Sequence, residues 1–244
     1  MKKIIFLVVT LLMTGGFCFA QKIIRAKNVN LNDPESVKLD IPQGAVYIFD
    51  EFTDGTVYFK NGTTSSAKLN YNTLFEEMQF ITDKDEILTV ANPDDINLVK
   101  IGDDFFYRLR RCEFAKLLLN ENIMLLTKRK TECTDYSKIG AYGQSSSTTA
   151  ITQLHSSQVY NKDYKFAIRQ DLTLKISDEF YVRKGDKMLK ITSKSTIIKA
   201  FPEYKNEINE YLEKKNVDLK NEQDLIKLVT YFNQLKKNGI QQKK

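Results

Sequence analysis

The sequence predicts an α+β protein: an antiparallel β-rich body, built as a meander in a curved sheet or barrel-like roll, followed by two or three C-terminal helices. Three observations predict it. Short runs rich in Val, Ile, Tyr and Phe recur from 45 to 130, divided by turn residues about every 8–12 positions. Strand-like composition returns over 164–191. After Thr192 the apolar spacing changes to that of amphipathic helices.

Residues 1–20 read as a secretory signal peptide. Lys2 and Lys3 precede an apolar run, and small residues close the segment. Signal peptidase needs small side chains at the last and third-last positions, which Cys18 and Ala20 supply. Cleavage between Ala20 and Gln21 is therefore expected, and Gln21 becomes the N-terminus. The competing lipoprotein reading makes Cys18 the lipidated residue. It wants a small residue before the cysteine, where the sequence has Phe17. No other apolar stretch is long enough for a transmembrane helix.

Residues 21–44 form a polar lead-in with Pro34 and Pro42 and one edge strand. Strands are then expected at 45–52, 55–60, 66–72, 75–81, 86–91, 96–102 and 104–110. Asp54-Gly55, Asn61-Gly62, Pro93-Asp94-Asp95 and Gly102-Asp103 supply turns between them. In 55–60, Val57 and Phe59 point to one face while Tyr58 and Lys60 point to the other. Residues 114–119 and 122–128 read as a hairpin turning at Asn120-Glu121. Its strict register sets 119 against 122, which leaves Cys133 four residues beyond the position opposite Cys112. Two cysteines in an exported chain suggest a disulfide, so a Cys112–Cys133 bridge through a bulged or bent strand end is expected.

Residues 131–163 break the pattern as a long polar loop, with a Ser/Thr run at 145–149 and the only histidine, His155. Long loops in compact domains are functional or disordered. Tyr142, Gly143, Gln144 and His155 are the candidate binding residues. Further strands of the same body are expected over 164–191, with turns at Asp171, Asp178 and Lys184-Gly185-Asp186. The helices occupy 192–238. Thr192 or Ser193 caps a short one, and Pro202 suits the first turn of the next. Asn221 with Asp224 resembles a capping box before the last. Leu225, Leu228, Val229, Phe232 and Leu235 make its buried stripe. Gly239 is expected beyond the last turn, with 239–244 a basic tail.

Charge and motifs exclude several functions. The chain carries 37 Lys+Arg against 31 Asp+Glu. That excess is too small for a nucleic-acid surface. One histidine with no closely spaced partner gives neither a triad nor a zinc set, so no metal is expected. No phosphate-cradling glycine loop occurs, and no cofactor is expected. Glu76-Glu77, Asp94-Asp95 and Asp103-Asp104 are the adjacent acidic pairs. The two Asp pairs follow Pro93 and Gly102 as turn residues, and adjacent residues of a strand point to opposite faces. A carboxylate pair assembled from distant strands stays open.

Three stretches carry a resemblance: GTVYFKNG through IGDDFFY (55–107), IGAYGQSSSTTAI (139–151), and YVRKGDKMLKI through LVTYFNQL (181–235). Together they resemble a group of uncharacterised exported proteins of the Bacteroidota. The resemblance implies export, one continuous unit, and the order of β-rich body, Tyr-Gly loop and C-terminal helices. It implies no activity, and the cysteine pair lies outside its pattern. The expected role is a non-enzymatic envelope or periplasmic binding or interaction protein, with the 139–157 loop meeting an unknown ligand or envelope partner. One alternative is a hydrolase of envelope or extracellular polymer acting through a carboxylate pair. A second is a structural envelope component assembling through sheet edges.

Overall fold

A computed structural model describes residues 22–30, 41–110, 112–135, 150–151, 169–185 and 187–241. The expected signal peptide with its Ala20–Gln21 junction and Cys18 lies outside them, as do the candidate binding residues Tyr142, Gly143, Gln144 and His155. In chain order the strands are β1 Lys22–Asn30, β2 Thr53–Phe59, β3 Thr64–Asn72, β4 Glu77–Ile81, β5 Ile87–Thr89, β6 Ile96–Ile101, β7 Asp104–Arg110, β8 Glu113–Leu119, β9 Ile123–Asp135, β10 Ala150–Ile151, β11 Arg169–Lys184 and β12 Lys187–Ile191. The helices are α1 Gln43–Val46, α2 Lys194–Ala200, α3 Lys205–Lys215 and α4 Glu222–Gln241.

All twelve strands join one sheet, in the order β1-β11-β9-β8-β7-β6-β2-β3-β4-β5, with β10 paired to β9 and β12 to β11. Every pairing is antiparallel. The sheet does not close, but it curls until its middle meets its flank. Tyr71 of β3 stacks on Phe106 of β7 and meets Phe114 of β8 edge-on, inside a group that includes Val57, Leu69, Met78 and Val99. The expected antiparallel body and C-terminal helices are both present. The edge strand foreseen in the lead-in is β1, paired to β11.

Local signals worked best where turn and strand lie next to each other in sequence. Gly102, at φ +56°, makes the β6–β7 turn. The turn expected at Asp54-Gly55 is instead part of β2, where close packing requires Gly55, because it leaves no room for a side chain. A Cβ there would lie 2.5 Å from the Lys100 carbonyl oxygen. In α2, Ser193 and Thr196 form a reciprocal capping box. Asn221 Oδ1 accepts from the Asp224 N–H at 3.1 Å at the start of α4.

The helices cover one end of the β9–β11 face. Ile197, Phe201, Ile208, Leu225, Leu228, Val229 and Phe232 pack with Ile123 and Leu125 of β9 and with Phe180 and Val182 of β11. Asn233 of α4 is fully buried and works as a substitute strand. Its Oδ1 accepts from the Ile123 N–H at 2.9 Å, and its Nδ2 donates to the Ile123 carbonyl at 3.0 Å.

Four expectations are corrected. First, 164–191 is not four strands with turns at Asp171 and Asp178. Both residues lie inside the single strand β11. Asp178 stays extended because it faces Arg129 across the ladder, with bonds of 3.0 and 3.3 Å to the guanidinium. Second, β9 continues to Asp135 and β10 pairs with it, so part of the expected 131–163 loop is strand. Third, α4 runs through Gly239 to Gln241 rather than ending before it. Fourth, 45–52 is a short helical turn followed by an interrupted strand, described below.

The hairpin register also differs from the strict one. Leu119 pairs with Leu125, and the β8–β9 ladder ends at Lys116↔Thr127. Beyond it the two strands part, and the β3–β4 turn enters the gap. The Thr131 N–H donates to the Thr73 carbonyl at 3.0 Å, and the Phe114 N–H to the Tyr71 hydroxyl at 3.4 Å. This wedge separates the start of β8 from the far end of β9. No disulfide joins Cys112 to Cys133: Cys112 sits in the β7–β8 turn, whereas Cys133 packs among Leu172, Leu174 and Phe75. Burial pushes the Cys112 thiol up, and the Glu77 carboxylate adds to the shift.

Candidate functional site

Two acidic groupings arise in the fold, one sealed and one open. The sealed one lies in the gap between β8 and β9. Asn72 shapes the wedge, its Oδ1 accepting the N–H groups of Leu74 and Phe75 at 3.0 and 2.9 Å. The turn ends at Glu76, whose φ of +59° is left-handed, a conformation costly for any residue with a Cβ. That geometry brings the Glu76 carboxylate to Lys128 of β9. Lys128 Nζ lies 2.8 Å from Glu76 Oε1, 2.8 Å from Glu113 Oε2 and 3.9 Å from Glu179 Oε2, and its side chain is only 3% exposed.

The surroundings complete this network. Glu113 also accepts from Arg110 Nε at 3.2 Å. Glu179 meets Lys190 at 2.7 Å and accepts the Tyr181 hydroxyl at 2.8 Å. Burial alone would pull the Lys128 ammonium down, but its bonds to Glu113 and Glu76 outweigh that and hold it above the ordinary lysine value. Burial would likewise raise Glu179, yet Lys190, the Tyr181 hydroxyl and Lys128 hold it below the ordinary carboxylate range. Tyr181 is pushed up by burial and by its bond to Glu179, and Tyr71 is pushed up chiefly by burial. Glu76 and Glu113 are thus a carboxylate pair assembled from distant elements, as the hydrolase alternative requires. Both are bound by Lys128, Glu113 also by Arg110, and neither is in the lining of the two described clefts.

The open grouping is a cleft of about 1040 Å³ on the other side of β3. It arises from the interrupted strand at 45–52. Tyr47 pairs with Asn72, and β2 resumes with Thr53 opposite Leu69. The chain passes through 48–52 while β3 offers only Tyr71 and Asn70, so residues 50–52 are thrown off the sheet. Asn70, 1% exposed, pins this excursion with its whole amide. Nδ2 donates to the carbonyls of Phe49 and Glu51 at 2.8 and 3.3 Å. Oδ1 accepts from the N–H groups of Phe49 and Tyr71 at 3.2 and 2.9 Å.

The cleft has an apolar, aromatic interior and a charged rim. Phe52, Phe75, Phe80, Ile81 and Ile87 contribute apolar surface, and Tyr47 meets Phe52 edge-on at 5.4 Å. Asp50 and Glu51 stand on the excursion, with Asp83, Asp85 and Glu86 on the β4–β5 turn and Lys68 as the cation of the lining. All five carboxylates are exposed, so none is desolvated as the general acid of a glycosidase pair is. None of them takes part in an ion pair among the described residues. Thr82 fixes the turn, its Oγ1 accepting from Lys84 and Glu86 N–H at 3.3 and 3.2 Å.

Sequence reasoning missed this cleft. The signal available was the FDEF run (49–52), whose two acids interrupt a strand pattern, opposite the amide-rich NYN of β3 (70–72). Among the described residues no group of three or more His, Cys, Asp and Glu could hold a metal ion, and no helix is long and apolar enough to cross a membrane.

The fold is an open, rolled antiparallel sheet with a helical flank and an acidic-rimmed cleft. No protein-family model, curated protein or solved structure matches this chain.

Proposed function

We propose that this chain is an exported, non-enzymatic binding protein of the cell envelope, and that its ligand seats in the cleft between the 50–52 excursion and the β4–β5 turn. The cleft carries the reading. It is large enough for a ligand of several groups, and Asn70 holds its wall in place. Export rests on the leader at 1–20. Within the polar stretch proposed to contact a partner, Ala150 and Ile151 pair with Thr134 and Cys133 of β9. The core around Cys133 includes Ile41, Val46 and Phe75, which also line the cleft. The strand β9 that β10 pairs with therefore contributes Cys133 to the same core as part of the cleft wall.

The test has two parts. Mass spectrometry of the periplasmic fraction should find a chain beginning at Gln21; a lipid-modified Cys18 or an intact Met1 would sink free export. Native mass spectrometry of the exported protein should show a retained ligand that Phe52→Arg releases. Equal loading of both forms would refute the cleft as the site.

The sheet edges favour a second reading, assembly through added strands. β5 and β1 end the sheet order, and Leu88 and Ile23 are exposed on them, at 45% and 62%. Sedimentation showing a discrete oligomer that Leu88→Lys dissociates would support it, and a monomer at all concentrations would remove it.

A further inference from the structure

We infer that the cleft selects a cationic peptide segment, one that alternates Lys or Arg with apolar side chains; the inference rests on the cleft being the binding site. Charge is the first reason. The chain as a whole carries more Lys+Arg than Asp+Glu, 37 against 31, yet the lining of this one cavity holds five carboxylates and a single lysine. The acids come from two separate walls, Asp50 and Glu51 on one and Asp83, Asp85 and Glu86 on the other. A cation entering the cavity meets both.

Shape and chemistry of the interior then narrow the cation. The exposed carboxylates are spread around a cavity of about 1040 Å³ floored by Phe80, Ile81 and Ile87, with Phe52 against Tyr47 at one wall. A compact inorganic ion would leave that apolar floor unused. A long side chain with a charged head and an apolar stem uses both floor and rim. The aromatic faces add attraction for an organic cation. The floor amide of Asn70 is spent on the protein's own backbone, so it offers no hydrogen-bonding code for a sugar or a base. The other polar side chains of the lining are also bonded within the protein, Tyr47 and Asn72 to Gln79, Ser66 with Thr56, and Thr82 to its own turn. Charge and apolar contact are therefore the main means of recognition, and an alternating basic and apolar segment presents both.

Three fluorescein-labelled decapeptides test this, alternating Leu with Lys, Gln or Glu, titrated by fluorescence anisotropy against the full exported chain. Exposed charge pairs are individually weak, so the Lys peptide should bind about tenfold or more tighter than the Gln peptide through several acting together, and the Glu peptide weakest. The margin should shrink as salt rises. It should also collapse in a variant combining Asp50→Asn, Glu51→Gln, Asp83→Asn and Asp85→Asn, all exposed positions that leave the fold intact. Phe52→Arg should weaken both the Lys and the Gln peptides, the Lys peptide more, because the new guanidinium also opposes its charge.

Equal binding of the Lys and Gln peptides, both lost in Phe52→Arg, would overturn the cationic preference while leaving the cleft as a binding site. Lys-peptide binding that survives both sets of substitutions would place it elsewhere on the surface and overturn the inference. Failure of all three peptides to bind would overturn it too. The ligand-retention experiment on Phe52→Arg would then judge the cleft separately.

Discussion

Lys128 of β9 holds Glu76 of the β3–β4 turn at 2.8 Å, and through it the sheet closes a gap of its own making. The turn enters where β8 and β9 part, and the same ammonium also takes Glu113 from the opposite side of the gap. Removing one partner of a buried ion network costs more than the network contributes, because charges stay behind without solvent. Lys128→Met should therefore destabilise the protein by about 3–5 kcal/mol. The triple variant with Glu76→Gln and Glu113→Gln should recover much of that loss. Urea unfolding midpoints of the three proteins check it.

Glu76 also carries a backbone cost, at φ +59°. Glu76→Ala and Glu76→Gly both delete the carboxylate, but only glycine adopts this conformation without strain. The glycine variant should be the more stable of the two by about 1 kcal/mol. Thermal unfolding compares them directly, and a less stable glycine form would contradict the assignment.

The network also sets opposite limbs of a pH profile. Glu179 is held below its ordinary value, so its contribution is complete above the ordinary glutamate pKa and is lost as pH falls through the lowered folded value. Lys128 is held above its ordinary value, so its contribution is complete below the ordinary lysine pKa and is lost as pH rises through the raised one. Glu179→Gln should flatten the acid limb of stability and Lys128→Met the alkaline limb. Denaturant midpoints measured across pH read both.

Asn233 and Asn70 each complete a backbone that lacks a strand partner. Asn233→Ala leaves the Ile123 N–H and carbonyl buried without their bonds, and a loss of about 1–3 kcal/mol per group is expected. Chemical unfolding measures it.

Asn70→Ala acts on a more exposed segment. It should free the 50–52 excursion while the sheet beneath stays folded. Hydrogen exchange should rise at 49–53, with β6 and β7 unchanged; uniform exchange across the sheet would show that Asn70 supports the fold as a whole.

Much of the meander was legible because each signal is local. Alternation in β2, the turns at Gly102 and Pro93, and the caps at Ser193 and Asn221 involve residues a few positions apart. The site was not legible for the opposite reason. Glu76 and Lys128 are far apart in sequence, and Glu76-Glu77 read only as strand neighbours on opposite faces. The excursion at 50–52 depends on Asn70, and the continuity of β11 through Asp178 depends on Arg129. A local pattern reports the preference of a segment and not the partner that meets it.

The amino-acid order alone determined the antiparallel strands, the helical tail and the near balance of charge, since these follow from composition and period. The tertiary structure decided where the sheet splits, which carboxylates are sealed by Lys128, and which five face a cleft. Those outcomes depend on chain segments meeting across the curled sheet. Only the folded geometry sets whether a given acid is buried with a cation or left open to solvent.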